Sequence, residues 1–87
     1  MNFEGAVVKE QGVTFGVLVV KRHVLNDSTL GSQMRAFGVT AWGPIPIVLM
    51  AQDGRGTPTY EGRPDLVRFL TKIFVEQSPW KHWSIAA

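Results

Sequence analysis

Two uninterrupted apolar runs, Val17-Leu18-Val19-Val20 and Ile47-Val48-Leu49-Met50-Ala51, limit what this chain can fold into more than any other feature. Successive side chains of a strand point to opposite faces, so a run that is apolar in both alternating sets belongs to a central, covered strand. Both runs are far shorter than the ~20 apolar residues that cross a bilayer. Between them, Asn26-Asp27-Ser28 supplies three consecutive helix N-cap candidates, and Leu30, Met34 and Phe37 recur at the i, i+4, i+7 spacing of one buried helical stripe. Gly38 stands where a left-handed residue would end that helix, which predicts a helix over Ser28–Phe37. A helix joining two central strands predicts a right-handed crossover between parallel strands, either adjacent or with one strand between them.

The flanking segments read as hairpins and a second helix. Phe3 to Lys9 is a β-forming run, Glu10-Gln11-Gly12 a turn, and Val13 to Leu25 a long second strand. Val39 to Pro46 cannot be regular, because prolines on both sides of Ile45 remove backbone donors. After the strand Ile47 to Gln52, Asp53-Gly54-Arg55-Gly56 turns the chain and Thr57 to Glu61 returns, with Pro58 confining that strand to an edge. Arg63-Pro64-Asp65 opens a helix expected over Pro64–Phe74, with Leu66, Phe69, Leu70 and Ile73 as its stripe and Ser78-Pro79 as its stop. Trp80 to Ile85 is an optional fifth strand. The expected fold is α+β, a single domain over residues 1–87: a two-layer β-β-α-β-β-α(-β) arrangement with a mixed sheet and two helices on one face.

Composition narrows the chemistry. With no cysteine there is no disulfide, no CxxC redox centre, no thiolate nucleophile and no zinc knuckle, so a packed core must supply the stability. Hydrophobic residues make up 45% of the chain, too many for intrinsic disorder. The formal charge of +2 comes from scattered residues of both signs, which disfavours nucleic acid as a partner. Met1-Asn2-Phe3-Glu4-Gly5 has neither the basic nor the apolar region of a secretory signal, so a cytoplasmic location is expected, without a membrane span.

From Met34 to Leu70 the punctuation follows a known pattern. Phe37-Gly38-Val39, then Ile45-Pro46 before an apolar strand, Asp53-Gly54 at a turn, and Tyr60-Glu61-Gly62 before a helix together resemble the C-terminal half of a thioredoxin-like domain. The resemblance implies a cis bond at Ile45-Pro46 and a glycine, Gly62, before the last helix. It covers under half of the chain, and the family's strand-helix unit bearing CxxC has no counterpart, so no redox activity is implied.

No catalytic residue, cofactor or metal is expected, since no side-chain set stands at a recognisable catalytic or ligating spacing. His23 and His82 lack an adjacent nucleophile and read as surface or strand-end histidines. Trp42 either plugs one end of the core or projects as a binding anchor. The expected function is a non-enzymatic interaction or assembly module, homodimeric at micromolar concentration because the apolar residues exceed what two helices can cover. An unidentified protein partner is the other form of that expectation. The alternative is a small-ligand or anion site built from Trp42, Arg55, Tyr60 and Arg63 at one end of the sheet. A third reading is a weak single-stranded nucleic-acid binder using Trp80 and Trp83 of the basic-aromatic tail.

Overall fold

The computed structural model describes residues 2–10, 12–73 and 79–84. Its elements are β1 (Asn2–Glu10), β2 (Val13–Val19), α1 (Arg22–Leu25), α2 (Ser28–Trp42), β3 (Ile47–Gln52), β4 (Pro58–Glu61), α3 (Pro64–Leu70) and β5 (Lys81–Ser84). The fold is α+β, a mixed five-stranded sheet in the order β4-β3-β2-β1-β5 with helices packed on it. β1 and β2 form the antiparallel hairpin, with Gly5 opposite Leu18 and Glu10 opposite Val13. β2 and β3 are parallel neighbours, Gly16 facing Ile47 and Val19 facing Met50, with α2 as the crossover. β4 returns antiparallel on β3, and β5 is the fifth strand, antiparallel to β1.

The alternating side chains of the two central strands feed two cores. Leu18, Ile47 and Leu49 pack with Val24 beneath Leu30, Met34 and Phe37 of α2. Phe15, Val17, Val48 and Met50 pack on the opposite face with Leu66 and Leu70 of α3. Burying each of these side chains contributes about 1.5–3 kcal/mol, and neither face could be left open.

The helices, expected on one face, therefore lie on opposite faces. β4 and β5 are the two edges of the sheet, so the chain between them must cross every other strand. One face already carries the α2 crossover, and connections do not cross over one another, so α3 takes the other.

Four local expectations are also corrected. The second strand ends at Val19 rather than Leu25, because Lys21 starts the short turn of α1, which buries Val24 under the α2 side. α2 is capped by Asp27, whose Oδ1 accepts from the Thr29 and Leu30 amides at 3.0 Å, but it runs through Gly38 to Trp42. A Cβ on Gly38 would stand 3.0 Å from Ile47 Cδ1, so this glycine lets α2 approach β3; Gly43, at φ 89°, ends the helix. The Ile45–Pro46 bond is trans, not cis. α3 ends at Leu70, and Phe74 lies outside the described residues.

Candidate functional site

β1 and β5 build an aromatic cluster on the α2 face. Phe3 and Trp83 are directly opposite in the ladder, and their rings stack at 6.4 Å with an interplanar angle of 11°. Trp42 meets both edge-on, at 5.5 Å from each, and Phe37 of α2 meets Phe3 at 5.1 Å. Trp83 Nε1 donates to the Gly5 carbonyl at 3.1 Å, drawing the indole over β1, and Lys81 Nζ lies 6.0 Å from the ring centroid.

The Trp42 indole fits because two strands lack side chains beneath it. A Cβ on Gly5 would stand 2.7 Å from the ring, and one on Gly16 2.3 Å. Trp42 closes α2, not a loop, and plugs the core; its Nε1 is buried without a partner among the described residues.

The other residues of the anticipated ligand site are not gathered with it. Tyr60 packs into the α3-side core, where burial raises its pKa above the ordinary 10.0 and its hydroxyl has no partner among the described residues. Arg55 lies in the exposed β3–β4 turn, where Asp53 Oδ1 accepts from the Arg55 and Thr57 amides at 2.8 and 3.0 Å. Those two donors, Thr57 first, hold the Asp53 carboxyl below its usual range. Arg63 stands at the far end of β4 from Arg55, and its guanidinium donates twice to Asp65 at 2.8 Å. That pair holds Asp65 at about 2. Trp80 packs with the α3-side core whereas Trp83 joins the α2-side cluster. Stacking successive bases requires aromatic rings on one surface, so the two indoles do not form such a strip.

What the fold brings together instead is the β5 edge and a groove beside it. The β4 edge is blunted by Pro58, which has no N–H, and Glu61 is tied to Arg35 of α2 at 2.6 Å. Lys81, His82, Trp83 and Ser84 all carry backbone donors, and among the described residues nothing pairs with the outer side of β5. The adjoining groove, about 350 Å3, lies at the carboxyl end of β2 and is lined by Asn2, Phe3, Glu4, Val19, Val20, Lys21 and His82. Glu4 and His82 are opposite each other in the β1–β5 ladder, a proximity no local pattern announced because it depends on that register. Lys21 was visible as the first charge after an apolar strand. Among the described residues no cluster of His, Asp and Glu is arranged to hold a metal ion. No helix among them is long and apolar enough to cross a membrane.

Comparison with family models, with curated proteins and with solved structures returned no match.

Proposed function

We propose that this protein is a small, non-catalytic, cytoplasmic interaction and assembly module that forms a homodimer through the outer edge of β5. The observation that carries this reading is the asymmetry of the two sheet edges. β4 is blunted by Pro58, which lacks an N–H, while β5 presents uninterrupted backbone beside a half-buried Trp83. The surplus of apolar side chains no longer supports it, because helices on both faces absorb them. Val39, 42% exposed, is the one exposed large hydrophobic side chain among the described residues.

Pairing two four-residue edges buries far less than the ~1,200 Å2 of a stable interface, so the dimer is weak and transient. Sedimentation equilibrium from micromolar to millimolar protein tests it. The average mass should rise from one chain towards two across that range, with amide exchange slowing at Lys81–Ser84. A single-chain mass at millimolar concentration overturns the homodimer.

The groove favours a second reading, a small-anion site using Lys21 and His82 at the carboxyl end of a parallel strand, where open sheets commonly bind ligands. Inorganic phosphate or citrate should then raise the melting temperature, and Lys21→Ala should abolish the rise. No shift with either anion rejects it.

A further inference from the structure

We infer that the two-fold axis of this dimer passes through Trp83, so that the aromatic clusters of the two copies join into one. This rests on the proposal that the β5 edge self-pairs. Two copies joined edge to edge in one antiparallel sheet are related by a two-fold perpendicular to the sheet, which keeps the α2 face of one copy on the same side as that of the other. Residues directly opposite in such a ladder share a face. Along β5 the faces alternate, Trp83 lying with Phe3 and Trp42 on the α2 side and His82 on the other. Facing residues must therefore be separated by an even number of positions, and the axis falls on a residue rather than between two.

Two such registers give three facing pairs within Lys81–Ser84. An axis on His82 sets the two imidazoles against each other and sets Lys81 opposite the partner's Trp83, although its ammonium already lies 6.0 Å from its own Trp83. An axis on Trp83 sets indole against indole and His82 against Ser84, with no like charges opposed. The half-buried Trp83, already stacked on Phe3 at 6.4 Å and edge-on to Trp42 at 5.5 Å, is then covered by its own copy. The second arrangement lengthens an existing aromatic cluster.

Because the chain has no cysteine, single cysteines report the register directly. His82 and Ser84 are both exposed, so His82→Cys and Ser84→Cys leave the core intact. Facing Cβ atoms lie about 4.5–5.5 Å apart, close enough for a disulfide after small adjustment. Under mild oxidation, an equimolar mixture of the two variants should give mixed dimers several-fold faster than either variant cross-links with itself. If His82→Cys links fastest with itself, the axis lies on His82 and the inferred register is overturned while the edge dimer survives. If no combination exceeds the rate of Ser32→Cys, on the exposed side of α2, the edge dimer itself is overturned.

Discussion

Trp42 is held in place by what its neighbours lack. With Gly5 and Gly16 beneath it, the indole lies flat against the sheet, and a methyl group at position 16 would fall 2.3 Å from the ring. Its buried Nε1 has no partner among the described residues, and such an orphan donor costs about 1–3 kcal/mol. Trp42→Phe removes that cost while giving up part of the contact surface, so its unfolding free energy should stay within about 1 kcal/mol of wild type. Trp42→Ala leaves a cavity among Phe3, Phe37 and Trp83 and should lose about 3–5 kcal/mol. Urea titration of the three proteins checks the ordering; a Phe variant as damaged as the Ala variant would mean that the indole nitrogen is satisfied. The two sequence readings of Trp42, plug or anchor, were equal because the deciding residues are glycines on other strands. A glycine shows where a side chain is missing, not what fills the space.

Within α2, two buried glycines have opposite roles. At Gly31 an added Cβ would meet its nearest neighbours at 3.5–3.7 Å, an ordinary packing distance. Gly31→Ala should therefore stabilise the protein by about 0.5–1 kcal/mol through helix propensity. At Gly38 the same methyl group would press on three Ile47 side-chain atoms at 3.0–3.1 Å. Overpacking of this kind costs roughly 1–3 kcal/mol, which exceeds the propensity gain. Gly38→Ala should lower the melting temperature, and Ile47→Val, which removes the closest atom, should restore part of the loss in the double variant. Equal effects at the two positions would contradict the close approach of α2 to β3. The early stop expected at Gly38 has the same origin: composition does not separate a glycine that ends a helix from one that lets it touch a strand. Gly43 has the positive φ that a stop requires.

At the scale of the whole molecule, pH acts through two neighbouring groups, Tyr60 in β4 and Asp65 at the start of α3. Asp65 is held at about 2 by Arg63, below its ordinary 3.8, so its ionised form favours the folded state. That contribution is present above the unfolded value and is lost as pH falls from about 4 towards 2; the pair is exposed, so it is small and screened by salt. Tyr60 is shifted the other way by burial, so its contribution is present below its ordinary 10.0 and is lost as pH rises past it. Urea midpoints should be flat between these limits and fall on both sides. Tyr60→Phe should flatten the alkaline side, and Arg63→Gln should weaken the acid side without abolishing it, because the turn amides still hold Asp53 below its usual range. An alkaline fall unchanged in Tyr60→Phe would show that another group carries it.

The sequence by itself determined most of the elements: two central strands, the opening hairpin, a parallel crossover, a helix cap among Asn26, Asp27 and Ser28, and the Pro58 edge. Each follows from a periodicity of two or 3.6, or from a residue with restricted backbone, and such signals are local. It also held the clue to the layers, since strands apolar on both faces need cover on both sides, a requirement that two helices on one face cannot meet. Only the tertiary structure decided which helix covers which face, how far α2 runs, and that Phe3, Phe37, Trp42 and Trp83 meet. It likewise separated Trp80 from Trp83 and Arg55 from Arg63, and brought Glu4 opposite His82. These outcomes depend on strand order and register, on β5 pairing with β1 at the far edge from β4. Register is a property of two distant segments at once, and a one-residue slip would move every side chain to the other face.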